Sequence, residues 1–151
     1  MNIINNKIAR FTEAHTRYYQ TAFAEIKKGK KLTDWMWFIF PQCKGLGKST
    51  ISDYYAINSI EEANAFMDHP ILSEHLIAII LELMQYYRKT PESIFGELDA
   101  RKLNSSMTLF SKTENANPIF REVLNSFFYG YEDKKTLLLL ESQEQLVASL
   151  V

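Results

Sequence analysis

The chain has 151 residues, and its 17 lysine and arginine residues nearly balance its 18 aspartate and glutamate residues. The net charge of −1 gives no strong electrostatic attraction to nucleic acid or to an anionic membrane surface. With 46% hydrophobic residues, a chain of this length can bury one core without metal or disulfide staples, which argues against disorder. Five glycines and four prolines are too few for the turns of a many-stranded sheet.

Cysteine content and apolar runs point to a cellular compartment. Cys43 is the only cysteine in the sequence, which excludes an intramolecular disulfide and a multi-cysteine metal site. Residues 1–11 lack the unbroken apolar stretch of a signal peptide. The longest apolar runs, residues 35–40 and 137–140, are far shorter than the roughly 20 residues that cross a bilayer. We therefore expect a cytoplasmic protein that does not span a membrane.

The first third of the chain contains two predicted helices. Apolar residues at helical spacing predict one over residues 6–28, ended by Gly29. The apolar run of residues 35–40 has no convincing strand partner elsewhere in the sequence. We interpret it as a short helix capped by Thr33 or Asp34 and ended by the following proline.

Two further helix starts lie in the middle of the chain. Ser59 and Glu62 have the spacing of a capping box, which predicts a helix that stops near His69. Pro70 opens another helix, which ends at the turn beginning with Thr90. Its broad apolar stripe is typical of a central helix covered on several sides.

The last third contains three predicted helices. After a turn at residues 91–95, apolar side chains recur at spacings of 3, 4 and 3 across residues 100–110. Asn117 is a predicted N-cap with proline at the first helical position, and Asp133 caps a last helix that runs towards the C-terminus. Apart from the short helix of residues 35–40, these elements predict a single all-α domain of about six helices.

Residues 45–50 read Gly-Leu-Gly-Lys-Ser-Thr and invite comparison with a phosphate-binding P-loop. The spacing argues against one, because Gln42 stands where the motif needs a glycine and Pro41 interrupts the join between strand and loop. A glycine-containing loop could still offer amides and cations to an anion, through Lys44, Lys48, Ser49 and Thr50. The alternative is a solvated turn between helices.

The three histidines do not have metal-ligand spacing. His15, His69 and His75 contain no pair four residues apart, so we expect no shared metal ion. His15 lies near the apolar stripe of the first predicted helix, which favours a partly buried structural role. His69 directly precedes Pro70, so its side chain is expected to cap the next helix, with entry into a pocket as the alternative.

Polar residues share one face of the helix predicted around residues 100–110. At 100° per residue, this face lies opposite the apolar side chains and carries Asp99, Lys102, Ser105 and Ser106. A lysine one turn from two serines could activate a nucleophile or hold a phosphate if it is desolvated. The alternative is an ordinary solvent-exposed face.

Several segments are specific enough to indicate a family. They are Asp34-Trp-Met-Trp-Phe-Ile-Phe-Pro-Gln42, Gly45-Leu-Gly47, Tyr55, His69-Pro70, Ile94-Phe-Gly96 and Lys102-Leu-Asn-Ser-Ser-Met-Thr-Leu-Phe110. Together they resemble the bacterial family called domain of unknown function 1810, over residues 11–140. The resemblance implies a single multihelical domain within residues 1–151, with residues 141–151 as a C-terminal extension. It implies no activity, and the calpastatin-like label that such proteins sometimes carry does not fit a compact globule.

Polar residues within these motifs suggest a pocket flanked by tryptophans that takes a small anionic or nucleotide-like ligand. The candidate ligand-binding residues are Trp35, Trp37, Gln42, Lys44, Ser49, His69, Lys102, Ser105 and Ser106. Five of them are expected to converge on one concave site, namely Trp35, Gln42, His69, Lys102 and Ser106. We assign no catalytic residue, metal or cofactor, and the sequence does not decide whether the protein is an enzyme. The alternative is a structural or protein-interaction module in which the same polar residues are caps and buried hydrogen-bonded pairs.

Overall fold

The fold consists of nine α-helices in a computed structural model that describes residues 3–150, with side chains described from residue 7 onwards. The helices are α1 (Ile3–Lys27), α2 (Met36–Ile39), α3 (Thr50–Tyr55), α4 (Ile60–Asp68), α5 (Pro70–Met84), α6 (Pro91–Phe95), α7 (Glu97–Ser111), α8 (Ile119–Phe128) and α9 (Lys134–Ser149). Within residues 3–150 there is no β-strand, and a single parallel bridge joins Cys43 to Ile57. The predicted all-α class is confirmed, whereas about six helices is an underestimate.

The additional helices are short. α3 and α6 have six and five residues, too few for a 3.6-residue period to emerge from the sequence. Residues 91–95 form α6 instead of the predicted turn, with the Thr90 hydroxyl accepting a hydrogen bond from the Ser93 amide at 3.2 Å. Ser49 caps α3, where its hydroxyl accepts a bond from the Ser52 amide at 3.1 Å.

Most predicted caps are present in the structure. The hydroxyl of Ser59 accepts a hydrogen bond from the Glu62 amide at 3.2 Å, and Asp133 accepts one from the Thr136 amide at 3.0 Å. The helix predicted at residues 35–40 is present as α2, but its predicted cap is wrong, because Trp35 occupies the N-cap position and makes no capping bond with its side chain. Thr33 is held by Glu25 instead, since its amide and its hydroxyl both donate to the Glu25 carboxylate.

One hydrophobic core joins the helices. α1 packs against α2, α4 and α5, while α7 packs against α4, α6, α8 and α9. The largest buried side chains of this core are Phe11, Trp35, Phe40, Phe66, Phe110 and Phe120. Among the helices of residues 3–150, none is both long and apolar enough to cross a membrane. The packing places α2 beside the start of α7, where the candidate site lies, and leaves the second half of α9 exposed.

Candidate functional site

The buried carboxylate of Glu25 fixes the first tryptophan. Its Oε1 atom accepts hydrogen bonds from the Leu32 amide at 2.6 Å, the Thr33 amide at 3.0 Å and the Trp35 indole at 2.9 Å. Its Oε2 atom accepts a bond from the Thr33 hydroxyl at 2.6 Å. Burial alone would raise the pKa of Glu25, but these hydrogen bonds outweigh burial and lower it. Glu25 therefore ties the end of α1 to the loop that leads into α2.

Two lysines share one aspartate next to the tryptophans. The Nζ atom of Lys31 lies 2.8 Å from Oδ2 of Asp99, and the Nζ atom of Lys102 lies 2.9 Å from Oδ1. Burial would raise the pKa of Asp99, but the two ammonium groups outweigh burial and lower it. We call these three residues the ion triad. It joins the loop after α1 to the first turns of α7.

Each lysine of the ion triad also lies over an aromatic ring. The Lys102 ammonium is 4.2 Å from the ring centroid of Trp37, and the Lys31 ammonium is 5.0 Å from that of Trp35. Both distances are within the range of cation–π attraction. The cation–π contacts orient the lysine ammonium groups as well as the indole rings.

The ion triad and the tryptophans line an open cavity of about 190 Å³, which we call the tryptophan cleft. Its main lining residues are Lys31, Trp35, Trp37, Ile51, Asp99 and Lys102. The three charged groups of the triad sum to +1, and Asp34 at the exposed edge brings the four charged groups of the lining to a net charge of zero. The volume is below the roughly 300 Å³ at which drug-sized ligand pockets begin, so the cleft suits a small molecule or one end of a larger one.

Gln42 lies behind the tryptophan cleft. It lines a second cavity together with Trp37, Cys43 and Gly47, and the space of about 10 Å³ there holds roughly one water molecule. The Nε2 atom of Gln42 is buried and has no hydrogen-bond partner within residues 3–150. Burial raises the pKa of the Cys43 thiol to about 11, so this thiol is a poor nucleophile at neutral pH.

Gly47, one of the two glycines that line this second cavity, leaves no room for a side chain. A Cβ atom on Gly47 would lie 2.4 Å from the Ser52 hydroxyl oxygen and 3.3 Å from the Trp37 ring. The Gly-Leu-Gly segment therefore lets the chain approach Trp37 closely. Lys44 is exposed on the same loop, and its amide donates to the Ile57 carbonyl at 2.8 Å.

The remaining candidates lie apart from the cleft. His69 caps α5, with Nδ1 accepting bonds from the Ile71 and Leu72 amides at 3.3 Å, and it lines a separate groove with Asp68 and Pro70. Ser105 donates to the Arg101 carbonyl at 3.1 Å. Ser106 is fully buried, and its hydroxyl has no partner within the described part of the chain.

The expected convergence of five residues is therefore not found. Trp35 and Lys102 share the cleft, Gln42 lies on the other side of Trp37, and neither His69 nor Ser106 lines either cavity. The physical reason is that neighbouring helices cover α7 on several sides, so a polar face can be buried without facing a ligand.

A histidine pair supports α2 from behind. The Nδ1 atoms of His15 and His75 lie 2.9 Å apart, and Nε2 of His15 lies 2.9 Å from the Phe38 carbonyl oxygen. Since a carbonyl only accepts, neutral His15 carries its proton on Nε2 and accepts at Nδ1 from His75. Burial is the largest of the effects that lower the pKa of His15, to about 4, with His75 and His69 adding to it.

Sequence reasoning missed Glu25 and the pairing of the histidines. It considered Lys31, one of the basic residues that follow the first helix, for binding phosphate or for offsetting the helix dipole, but did not place it beside the tryptophans. Glu25 lies in the last turn of α1, where charged side chains usually face solvent. The two histidines are 60 residues apart, and only the packing of α1 on α5 brings them together. The available signal for Glu25 is a carboxylate in the last turn of a helix, ten residues before a tryptophan. That pattern is common and therefore weak.

The described residues thus form an all-α domain with an ion triad against two tryptophans. Residues 5–140 match the family described as "Protein of unknown function (DUF1810)", and the chain belongs to this family. It is also similar to the crystal structure of the conserved hypothetical protein Rv1873 from Mycobacterium tuberculosis, with 39% sequence identity and a TM-score of 0.86. That similarity covers 89% of this chain and 96% of the other. Among curated proteins, the comparison found no match.

The position of the family match separates the two ends of the molecule. All residues of the tryptophan cleft lie inside residues 5–140. The second half of α9 lies outside that range. The cleft therefore lies within the range matched by the family, whereas the end of α9 lies beyond it.

Proposed function

We propose that the tryptophan cleft binds a small anionic molecule, such as a phosphate or carboxylate carried on a compact planar group. The observation that carries this proposal is the ion triad, which holds two ammonium groups against the faces of two indole rings. The triad keeps a net charge of +1, and an ammonium group has three donors, of which Asp99 takes one from Lys102. Lys102 can therefore bind an anion without leaving Asp99.

The ring of Trp37 gives the cleft a second kind of recognition. Indole faces stack on flat groups, so a planar ligand could lie beside Trp37 while its anionic group meets Lys102. Ile51 is exposed at the edge of the cleft, which leaves room for a larger ligand to extend outwards. This arrangement is compatible with a nucleotide-like ligand of which only one end is enclosed.

The alternative is a structural role for the same residues, and the completeness of the ion triad favours it. Lys31 and Lys102 both have Asp99 as partner without any ligand, and Glu25 accepts four hydrogen bonds from within the chain. In this alternative, the triad only joins α7 to the loop after α1. Both alternatives assume a bacterial cytoplasmic protein. The similarity to a bacterial protein and the single, buried Cys43 favour this assumption.

Thermal unfolding with candidate anions tests the proposal. The probes are inorganic phosphate, acetate, AMP and ADP-ribose, each added up to millimolar concentration. A ligand at about 100 times its Kd stabilises the folded state by roughly 2.7 kcal/mol, which raises Tm by about 5–10 °C in a domain of this size. We expect at least one probe to raise Tm of the unmodified protein and to lose this effect in Lys102→Ala.

Arg101→Ala is the matched control. Arg101 is the preceding residue on α7, but it is exposed, pairs only with Glu97 among the described residues, and does not line the cleft. This variant should keep the full ligand-induced shift. If no probe shifts the unmodified protein, the binding proposal fails. If Lys102→Ala alone lowers the free energy of unfolding by several kcal/mol, the triad is structural.

A further inference from the structure

A second concave surface lies at the other end of the molecule, between α9 and the start of α4. This open groove has a volume of about 650 Å³, and we call it the α4–α9 groove. Its apolar floor is formed by Ile60, Leu137, Leu140, Val147 and Ala148. Val147 is 61% exposed, and Ala148 beside it is exposed as well. A concave apolar surface rimmed by polar residues is typical of an interaction site.

Three acidic residues surround this apolar floor. They are Glu61 on α4 and Glu141 and Glu144 on α9. Within residues 3–150, none of the three forms an ion pair. Lys112, a basic residue of the lining, has its ammonium 2.6 Å from Glu132, which it shares with Arg121, and the three acids outnumber it in the lining. The groove therefore carries a negative potential next to uncovered apolar surface.

We propose that the α4–α9 groove is a docking site for a basic amphipathic helix of a partner protein. The floor residues on α9 extend from Leu137 to Ala148, which is about 16 Å at 1.5 Å per residue, or about three helical turns. A helix of that length can place its apolar face on the floor. Lysine and arginine side chains at the edges of its apolar face would then meet Glu61, Glu141 and Glu144.

The charges favour this occupant over two others. A second copy of the chain that docked through the same face would set these acids against their own counterparts, which is unfavourable. An anionic membrane surface would be repelled by the same three carboxylates. A basic helix is the occupant that satisfies both the acidic rim and the apolar floor.

The groove also differs from the cleft in its relation to the family. Glu141, Glu144 and Val147 all lie beyond residue 140, where the family match ends. The inference is therefore independent of the proposed function of the cleft, and docking would be a property of this chain and of relatives that share the end of α9.

The test is a titration with a synthetic peptide. The probe is a fluorescein-labelled helix of about 12 residues, built only from leucine on one face and lysine on the others. Fluorescence polarisation should show saturable binding that weakens as salt concentration rises. The triple variant Glu61→Gln/Glu141→Gln/Glu144→Gln should bind the peptide about tenfold or more weakly at low salt.

The matched control removes the same charge elsewhere. Glu13, Glu97 and Glu122 are exposed and do not line the groove, so Glu13→Gln/Glu97→Gln/Glu122→Gln should change affinity less than about twofold. A peptide of the same composition in scrambled order should bind much more weakly. Equal binding of both triple variants, or of both peptides, would overturn the proposal. So would light scattering that finds a dimer which the peptide does not dissociate, because a second copy would then cover the groove.

Discussion

The tryptophan cleft and the α4–α9 groove are both concave, but their polar groups have opposite environments. In the cleft, Lys31, Lys102 and Asp99 satisfy one another, and Glu25 accepts four hydrogen bonds. In the groove, the three acids of the rim form no ion pair within the described residues, and apolar side chains of α9 remain exposed. The same chain thus has one concave surface held by internal contacts and one that lacks them.

Because of this difference, we expect the residues around the cleft to stabilise the fold and those of the groove to remain available for binding. Internal hydrogen bonds and ion pairs hold the cleft in one geometry before any ligand arrives, which lowers the entropic cost of binding. The groove contributes little to folding because its side chains have few internal contacts to lose. Substitutions should therefore affect stability strongly around the cleft and weakly in the groove.

The largest effect is expected for Glu25→Ala. The substitution removes four hydrogen bonds and leaves the Trp35 indole and two backbone amides without their acceptor. Hydrogen bonds to a charged group contribute about 1.5–3 kcal/mol each, and those from the exposed Leu32 and Thr33 contribute less than the buried one from Trp35, so we expect a loss of about 3–5 kcal/mol in the free energy of unfolding. Urea denaturation monitored by tryptophan fluorescence measures this loss.

Glu13→Ala is the control for that substitution. Glu13 lies on the same helix but is exposed, so its replacement should change the free energy of unfolding by less than about 0.5 kcal/mol. A loss below about 1 kcal/mol for Glu25→Ala would mean that Glu25 does not hold the cleft wall.

The sequence predicts local features of the fold better than it predicts the site. The caps at Ser59, His69 and Asp133 depend on residues two or three positions apart, so their sequence signals are complete. The caps of α3 and α6 were also present in the sequence, but helices of six and five residues have no usable period. A capping hydrogen bond can therefore be predicted where its donor and acceptor are close in sequence.

The contacts of the cleft join residues that are far apart in sequence. Lys31 and Lys102 meet at Asp99 only because α7 packs beside the loop after α1. The candidate binding residues Trp35, Trp37 and Lys102 all line the cleft, and Asp99 is on the same predicted polar face as Lys102. No sequence pattern indicated that Ser106 on the same helix is fully buried.

The second largest effect is expected from acid acting on His15. Its pKa is about 4 in the folded protein against an ordinary value of 6.5, so the unfolded chain binds more protons between these two pH values. The free energy of unfolding should therefore be fully retained above pH 6.5 and should fall by about 3 kcal/mol as the pH drops to 4. The pKa of His75 is also lowered by burial, so protonation of His75 acts in the same direction.

Urea denaturation at a series of pH values measures this loss. His15→Gln removes one titrating group, so its free energy of unfolding should depend less steeply on pH between 6.5 and 4.5, whatever its absolute stability. An NMR titration that gave His15 an ordinary pKa would contradict the prediction. Acid adds a proton to Nδ1 of His15 and so breaks its contact with His75, whereas the bond from Nε2 to the Phe38 carbonyl is kept.

The smallest effect is expected in the α4–α9 groove, for Val147→Ser. Valine and serine have similar helix propensities, so the substitution mainly tests how much the packing of the side chain contributes to the free energy of unfolding. Val147 is largely exposed, and we expect its replacement to change the free energy of unfolding by less than about 0.5 kcal/mol.

The matched control is Val123→Ser on α8, where the side chain is fully buried in the core and the same substitution should cost about 2–3 kcal/mol. Urea denaturation of both variants gives the two values under one condition. If Val147→Ser lowered the free energy of unfolding as much as Val123→Ser, the floor of the groove would be part of the folded core. The contrast between a cleft held by internal contacts and a groove with exposed side chains would then not hold. If Val147→Ser costs little but weakens binding of the basic peptide, the valine serves docking instead of folding.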